Sequence, residues 1–217
     1  MRLGFDVDGV LADFASDYQA LIIKVTGKDL FLPGDVENPP TWHWPELRGY
    51  TKEEMTAVWE VIAEHHAFSL GHRETRDCST LRMLMPDLQR NHDVYFITSR
   101  VGETAKWQTE SWLQFHLGML NPTVLISAEK GLCAKGLKLD CYIDDNLDNA
   151  NDVARTTTPS CGYAGYAQRM QNKKEGRDPD ASSCRTYLLN RRYNEGPTLA
   201  IRVDTLGQMF DRELDNL

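Results

Sequence analysis

Acidic residues occur in pairs at two places where short apolar runs end. Asp6 and Asp8 follow the first run, and Asp144 and Asp145 follow a later one. Carboxylates placed this closely repel each other unless they share a cation or a proton, and Mg²⁺ prefers such hard oxygen ligands. Asp6 and Asp8 alone are most simply turn or cap residues. Their joint occurrence with Asp144 and Asp145 favours a metal-dependent reaction centre.

Two further polar stretches could hold a phosphate beside these acids. Thr98 and Ser99 follow the run Val94–Ile97 and offer hydroxyl and backbone N–H donors. Lys130 follows the run Thr123–Ile126, and its ammonium could offset the charge of a nucleophilic carboxylate. Taken alone, a Thr-Ser pair is usually a strand-end cap and a lysine usually lies on the surface. Together with the acids, these residues suit phosphoryl transfer.

Six short apolar runs must position these residues. They are β-branched and aromatic, which predicts buried strands. The predicted strands are Arg2–Phe5, Val94–Ile97, Thr123–Ile126, Cys141–Ile143, Thr186–Leu189 and Leu199–Val203. The helical patterns between them are Thr80–Arg90, Thr104–Leu117 and Glu129–Leu137. This alternation predicts an α/β fold with a parallel sheet in a three-layer, Rossmann-like core. We expect the four polar strand ends to converge at one edge, where such sheets bind ligands.

Residues 16–79 break the alternation and predict a mostly helical insert directly after the first strand. Residues 1–15 and 80–217 would then form the catalytic core. Within the insert, Thr51 followed by Glu54 has the pattern of a capping box that begins a helix. An insert in this position is well placed to act as a lid over the strand ends.

The overall charge argues against an extended nucleic-acid-binding surface. The 32 acidic and 24 basic residues give a net charge of −8, whereas such a surface needs a basic face. The five cysteines contain no CxxC pair, so a structural zinc site is not expected.

The sequence has no apolar stretch near the ~20 residues of a membrane span and no signal-peptide pattern. We therefore expect no membrane contact and a cytoplasmic protein. The segment from Arg155 to Arg185 is expected to be a mobile, polar surface excursion.

The four polar strand ends carry a family resemblance. The segments Asp6-Val7-Asp8-Gly9-Val10, Ile97-Thr98-Ser99, Lys130 and Ile143-Asp144-Asp145 resemble the four ordered motifs of the haloacid dehalogenase (HAD) superfamily. The resemblance implies a phosphoric monoester hydrolase in which Asp6 attacks phosphorus to form an aspartyl-phosphate. Asp8 would protonate the leaving oxygen and later activate water. An acid at Asp8 favours a phosphatase over a dehalogenase, which needs no leaving-group protonation.

The same resemblance implies how the phosphoryl group and the metal are held. Thr98, with Ser99, and Lys130 would bind the phosphoryl group. The implied Mg²⁺ ligands are Asp6, the main-chain carbonyl of Asp8, and one of Asp144 and Asp145.

A narrower resemblance concerns the first and third motifs. The opening Phe5–Phe14 is similar to that of 5′(3′)-deoxyribonucleotidases, and Ser127–Lys130 has the polar-x-acid-Lys form of their third motif. In that family the second acid of the final pair is the direct ligand, which favours Asp145 over Asp144.

The chain departs from that family between the third and fourth motifs. The stretch from Lys130 to Asp144 is longer, which leaves Lys135 as a weaker substitute for Lys130. The polar segment before the fifth strand is unfamiliar, whereas Tyr187–Asn194 resembles a late strand and loop of compact bacterial and phage relatives.

The resemblance implies a small phosphorylated substrate, and our leading hypothesis is a nucleotidase acting on (deoxy)nucleoside monophosphates. The alternatives are a phosphatase for another small ester, such as a sugar phosphate, and a phosphatase that trims nucleic-acid 3′ ends. The candidate substrate contacts are Phe14, Tyr18, Trp42, Trp44 and Arg100, with Phe31, His43 and Tyr50 as further rings that could stack on a base. Trp42 and Trp44 could equally pack the insert's own core, and Arg100 could instead pair with an acid of the cluster. The base and sugar preference and the oligomeric state, including a homodimer, stay open.

Overall fold

A six-stranded parallel sheet forms the centre of the molecule. The computed structural model describes residues 1–159, 163–174, 176, 178–180 and 182–214. The strands are β1 (Arg2–Phe5), β2 (Asp93–Thr98), β3 (Thr123–Ile126), β4 (Cys141–Asp144), β5 (Arg185–Leu189) and β6 (Ile201–Val203). They lie in the order β3-β2-β1-β4-β5-β6, and every pairing is parallel. The predicted α/β class and parallel sheet are confirmed.

Helices cover both faces of the sheet and form the insert. They are α1 (Phe14–Thr26), α2 (Trp44–Leu47), α3 (Lys52–Glu64), α4 (Arg76–Asn91), α5 (Ala105–Leu117), α6 (Lys130–Leu137), α7 (Leu147–Thr157), α8 (Tyr163–Lys174) and α9 (Leu206–Glu213). Short 3-10 helices lie at Phe68–Gly71 and Arg192–Asn194. Among the described helices, none combines the length and the apolar character that crossing a membrane requires.

The strands are apolar on both faces because both faces are covered. Phe5 and Phe96 point to one side, where they share a buried cluster with Leu81 of α4 and with residues of α5 and α9. Ile97 and Tyr142 point to the other side and pack with residues of α6 and α7. Three layers result, with helices on each side of the sheet.

The strand register brings the carboxyl ends of the central strands level with one another. Phe5 pairs with Phe96 of β2 on one side and with Ile143 of β4 on the other. At the next pairing outward, Thr98 lies opposite Ile126 of β3. The polar residues that follow these strands therefore meet at one edge, as the sequence predicts.

The insert packs around its own apolar cluster. Its buried members are Tyr18, Ile22, Trp44, Tyr50, Met55, Val58 and Ile62. The predicted capping box is present, with Thr51 and Glu54 each bonding the other's backbone N–H at the start of α3. The chain enters and leaves the insert side by side, since Ala12 bridges Glu74 in antiparallel fashion. These paired linkers attach the insert to the sheet edge.

Two predicted features differ from the structure. The segment from Arg155 to Arg185 is not only an irregular excursion, because α8 lies within it. Its polar sequence gave no amphipathic signal for a helix. Residues 160–162, 175, 177 and 181 of this segment lie outside the described part of the chain. Helix α4 begins at Arg76 rather than Thr80, since the Thr75 hydroxyl accepts the backbone N–H of Cys78 (3.2 Å) as a cap.

Candidate active site

The loop after β1 carries the first two predicted acids. The backbone N–H of Asp6 still donates to the carbonyl of Ile143 (2.9 Å), so Asp6 is fixed at the end of the sheet. The chain then turns, with the N–H of Leu11 donating to the carbonyl of Val7 (2.8 Å). Because of this turn, Asp6 and Asp8 both line one small cavity.

Gly9 allows this loop to approach the end of β4. Its φ of +77° lies in the left-handed region, which other residues rarely adopt. A Cβ at this position would also overlap the carboxylate of Asp145. Glycine is therefore required both by the backbone conformation and by the close approach of Asp145.

Three carboxylates meet one ammonium at the sheet edge. Asp6, Asp144 and Asp145 are 5%, 0% and 1% exposed, and one oxygen from each lies within 4.8 Å of the others. Lys130, the first residue of α6, reaches between them. Its Nζ lies 2.8 Å from Oδ1 of Asp6 and 2.8 Å from Oδ2 of Asp144. Negative charge exceeds positive charge in this buried cluster.

The pKa shifts follow from this excess. Burial and the charges of Asp144 and Asp145 raise the pKa of Asp6 well above its usual range, although Lys130 acts in the opposite direction. Burial and Asp144 likewise raise the pKa of Asp145. Burial opposes the charged form of Lys130, but its two carboxylate neighbours outweigh burial and raise the pKa of the ammonium. A divalent cation would relieve the repulsion among the carboxylates.

Asp144 and Asp145 differ in whether a carboxylate oxygen is free to bind a cation. Both oxygens of Asp144 accept hydrogen bonds, and Oδ2 accepts from Lys130 (2.8 Å) and from the Tyr142 hydroxyl (2.7 Å). Oδ2 of Asp145 accepts from the Tyr193 hydroxyl. Within the described ranges, the buried Oδ1 of Asp145 has no hydrogen-bond partner. This orphaned oxygen, with the oxygens of Asp6, fits a hard cation such as Mg²⁺.

Arg100 forms a two-pronged ion pair with Asp8. Its Nε and Nη2 donate to the two oxygens of Asp8 (2.9 and 2.7 Å), and its Nη1 donates to the hydroxyl of Thr109 (3.1 Å). Burial disfavours the charged form of Asp8, but the guanidinium outweighs burial and lowers the pKa of Asp8. The sequence left two roles open for Arg100, substrate binding or pairing with an acid. In the structure Arg100 pairs with an acid, Asp8.

The predicted phosphate-binding residues lie on the same cavity. Thr98 is 1% exposed, and its hydroxyl lies 3.4 Å from Oδ2 of Asp8. Ser99 is exposed, and its hydroxyl donates to the carbonyl of Ser127 (3.1 Å). Both residues line the cavity together with Lys130. The structure therefore brings both predicted residues to the cavity that contains Asp6.

Two adjoining cavities make up the site. The first, which we call the charged cavity, has a volume of about 110 Å³. Residues at the ends of β1 and β2 and at the start of α6 line it. The second, the aromatic cavity, has a volume of about 270 Å³ and extends under the insert. Asp8, Phe14, Trp42 and Trp59 line both. A ligand could therefore place a phosphate in one cavity and its remaining part in the other.

The four aromatic residues predicted to contact the substrate all line the aromatic cavity, but they differ in how deeply they are buried. Phe14 and Tyr18 stack on each other with ring centroids 5.1 Å apart. Trp44 is 5% exposed and packs edge-on against Tyr18 (5.6 Å), so it belongs to the insert's core as well as to the wall. Trp42 is 47% exposed and leaves a face open. Of the two tryptophans, Trp42 is the one with surface available to a ligand.

Three further rings, His43, Phe31 and Tyr50, were candidates for stacking on a base, and they differ in whether they line a cavity. His43 lines the aromatic cavity. Phe31 and Tyr50 pack on each other at 5.1 Å, and the Tyr50 hydroxyl donates to the carbonyl of Lys28 (2.8 Å). Neither Phe31 nor Tyr50 lines either of the two cavities. The structure therefore gives these two rings packing and hydrogen-bonding contacts within the insert and no contact with either cavity.

Two residues of the cavity wall, Trp59 and Tyr193, were not among the candidates predicted from the sequence. Trp59 is stacked against Phe14 with centroids 6.0 Å apart, and Tyr193 contacts both Trp42 and Asp145. A signal for Tyr193 was present, since the fifth strand also ends in a polar run, Asn190–Asn194. Trp59 had no such signal, because its helical spacing is also that of an ordinary packing residue.

Comparisons with known proteins establish the fold. No protein-family model and no curated protein sequence matches this chain. A HAD-like hydrolase from Streptococcus pneumoniae superposes with a TM-score of 0.54 at 12% identity, over 96% of this chain and 96% of that chain. A dehalogenase solved as an intermediate complex gives a TM-score of 0.53 at 11% identity, over 97% and 96% of the two chains. A HAD-family hydrolase from Deinococcus radiodurans, solved with bound phosphate and sodium, gives 0.51 at 13% identity, over 99% and 95%.

The Streptococcus pneumoniae and Deinococcus radiodurans proteins are HAD-family hydrolases, and this chain has the HAD-like α/β fold. Sequence identities this low support a shared fold and nothing more. Both a dehalogenase and a phosphate-bound hydrolase share the fold, so the fold does not determine the reaction, which depends on the residues of the site.

Proposed function

We propose that this chain is a Mg²⁺-dependent phosphomonoesterase, specifically a 5′-nucleotidase that hydrolyses (deoxy)nucleoside monophosphates through an aspartyl-phosphate. One observation carries the proposal. A small cavity with a buried carboxylate, hydroxyl and ammonium adjoins a larger cavity walled by aromatic rings. The charged cavity suits a phosphoryl group, and the aromatic cavity suits a base.

Asp6 is the nucleophile of the proposed reaction. One of its oxygens forms a bond to phosphorus while the bond from phosphorus to the ester oxygen breaks. Water then attacks the aspartyl-phosphate, which releases inorganic phosphate and restores the Asp6 carboxylate. Thr98 donates a hydrogen bond and Lys130 supplies positive charge to the phosphoryl oxygens. The ion pair between Lys130 and Asp6 (2.8 Å) places the two functions side by side.

Asp8 moves the protons in this scheme. It gives a proton to the leaving ester oxygen and later takes one from the attacking water. In the structure both of its oxygens accept hydrogen bonds from Arg100. This pairing favours the ionised form of Asp8, which is the form that activates water. Protonation of the leaving group therefore requires Asp8 to take up a proton against the charge of Arg100.

The carboxylates supply the proposed metal site. Asp6 and Asp145 would hold Mg²⁺, together with the main-chain carbonyl of Asp8 that the family resemblance implies. Asp144 instead holds Lys130 in place, since both of its oxygens are already engaged. The bound ion supplies positive charge that offsets the carboxylates and the phosphoryl oxygens.

The aromatic cavity favours a nucleoside over a sugar as the leaving group. Trp42 and Trp59 present exposed ring surface there, and stacking on a base contributes ~1–3 kcal/mol. Taken together, the two cavities of about 110 and 270 Å³ lie near the lower end of the ~300–1,000 Å³ typical of small-ligand sites. This size suits one nucleotide better than a polymer end.

The test is a panel of substrates assayed for phosphate release in Mg²⁺ and in EDTA. It includes nucleoside 5′-monophosphates, a sugar phosphate, a 3′-phosphorylated oligonucleotide and, for halide release, a 2-haloacid. We expect nucleoside monophosphates to be hydrolysed fastest and EDTA to abolish the activity. Asp6→Asn is expected to lower kcat by several orders of magnitude, as loss of a nucleophile does.

Asp93→Asn is the matched control, because Asp93 is an exposed carboxylate at the opposite end of β2. It should keep full activity. Undiminished hydrolysis in EDTA or in Asp6→Asn would contradict the mechanism. A preference for the sugar phosphate or for the oligonucleotide would contradict the nucleotidase assignment while leaving the mechanism in place. Halide release alone would contradict both.

A further inference from the structure

The segment after β5 contacts three parts of the site. We call Asn190–Gly196, which connects β5 to β6, the β5 arm. Building on the proposed function, we propose that Tyr193 of the β5 arm is a positioning residue, whose hydroxyl orients the Asp145 carboxylate toward the metal while its ring supports Trp42 in the wall of the substrate cavity.

The β5 arm is firmly attached to the sheet edge through Asn194. This side chain is 1% exposed, and its Nδ2 donates to the backbone carbonyls of Asp145 and Leu189 (2.7 Å each). From β6, Nη2 of Arg202 donates to the carbonyls of Asn194 (2.7 Å) and Gly196 (2.8 Å). The backbone on either side of Tyr193 is therefore fixed relative to the end of β4.

The Tyr193 hydroxyl divides the Asp145 carboxylate into two unequal oxygens. It donates a hydrogen bond to Oδ2, and Gly9 leaves the room that this oxygen needs. Across the described residues, Oδ1 is buried with no partner. A hydroxyl is neutral, so it orients the carboxylate without cancelling the charge that a cation needs. Asp144 lacks this property, because it is paired with the ammonium of Lys130.

The ring of Tyr193 faces the insert. It lies against Trp42 with ring centroids 5.5 Å apart at 61°, and both rings line the aromatic cavity. Nearby, the backbone N–H of Arg192 donates to the side chain of Asn38 (3.2 Å), which gives the β5 arm a second contact with the insert. The hydroxyl of Tyr193 thus contacts the proposed metal ligand, and its ring contacts the wall of the proposed substrate cavity.

Tyr193→Phe separates the two functions, since phenylalanine keeps the ring and removes the hydroxyl. Mg²⁺ binding is measured by titration calorimetry without substrate, beside the wild type and Asp145→Asn. We expect Tyr193→Phe to weaken Mg²⁺ binding about 10- to 100-fold, the usual effect of losing a group that orients a metal ligand. Raising Mg²⁺ should restore its kcat, and its KM at saturating Mg²⁺ should stay at the wild-type value. Tyr193→Leu, which lacks the ring as well, should also raise KM.

Tyr187→Phe is the matched control, because its hydroxyl bonds Glu213 and neither residue lines either cavity. It should bind Mg²⁺ as the wild type does. Unchanged Mg²⁺ affinity in Tyr193→Phe would overturn the inference, as would an unfolded metal-free Tyr193→Phe, which would make the hydroxyl a structural contact. Failure of the wild type itself to bind Mg²⁺ would instead contradict the proposed function, so the two failures are distinguishable.

Discussion

The charged cavity and the aromatic cavity share a wall, yet their residues are held in different ways. In the charged cavity, Asp6 directly follows one parallel strand and Thr98 ends another, and both are buried. Trp42 lies in a turn between helices of the insert and is 47% exposed. The groups proposed for the chemistry cannot move relative to each other without breaking strand pairings. The groups proposed to select the substrate can.

The two cavities also differ in what opposes their formation. The charged cavity has Asp6 and Lys130 in its wall, and these pack against the buried carboxylates of Asp144 and Asp145; taking these charges out of water is costly unless every charge is compensated. The aromatic cavity leaves apolar rings in contact with water until a ligand covers them. Substitutions in the first should therefore change both stability and chemistry. Substitution of an exposed ring in the second, such as Trp42, should change substrate affinity alone.

The largest expected effect is that of Lys130→Met. The substitution removes the ammonium that lies 2.8 Å from both Asp6 and Asp144 and leaves buried charges uncompensated. We expect a loss of about 3–5 kcal/mol in the free energy of unfolding at pH 7, together with loss of phosphate release. Urea unfolding and a phosphatase assay measure the two effects.

Lys135→Met on the same helix is the control for this prediction. Lys135 is exposed, lines neither cavity and was the weaker alternative to Lys130 in the sequence. It should behave as the wild type. Adding Asp144→Asn to Lys130→Met should recover part of the stability but no activity. Equal effects at the two lysines would show that the charged cavity does not depend on its ammonium.

The sequence predicted the charged cavity better than the aromatic one, for a physical reason. In a parallel sheet, residues that follow strands meet at one edge, so four apolar runs with polar ends located Asp6, Thr98, Lys130 and Asp145 together. The pairing of Arg100 with Asp8 was only one of two alternatives. Its donors could turn either way, and no local pattern decides which.

The aromatic cavity was harder to predict because burial there depends on the path of irregular chain. Trp42 and Trp44 are the same residue type two positions apart, yet they are 47% and 5% exposed. Tyr193 reaches the site only because the β5 arm folds back over β4, which depends on the sheet order rather than on local sequence. Phe31 and Tyr50 lie outside both cavities, and their sequence positions do not show this for the same reason.

A medium effect is expected from Trp42→Ala, which tests whether the aromatic wall acts on affinity alone. Loss of one stacking ring worth ~1–3 kcal/mol should raise KM for a nucleoside monophosphate about 10-fold, while kcat changes little. Steady-state kinetics at saturating Mg²⁺ provide the measurement. Trp107→Ala, which removes a ring 55% exposed on α5, is the matched control and should leave KM unchanged. A fall in kcat with constant KM would place Trp42 in the chemistry and remove the distinction between the cavities.

The smallest effect concerns the scaffold behind the aromatic wall. Asp35 binds Arg48 through two hydrogen bonds (2.7 Å each) and accepts the backbone N–H of Leu32 (2.9 Å). The hydrogen bond from Arg48 exceeds the opposing effect of burial, and with the N–H of Leu32 it lowers the pKa of Asp35. A carboxyl whose pKa is lower when folded stabilises the protein above its unfolded pKa of about 3.9 and loses that contribution as the pH falls through the folded value.

Asp35→Asn should therefore lower Tm slightly at pH 7, by less than Lys130→Met does, and the difference from the wild type should vanish in acid. Faster hydrogen exchange should be confined to residues 28–50, since the pair ties together only this part of the insert. Asp87→Asn breaks an ion pair whose two side chains are 73% and 62% exposed, and it should show neither effect. If exchange instead accelerated at the ends of β1 and β4, the two cavities would share one cooperative unit. Substrate selection could not then be altered without altering the chemistry.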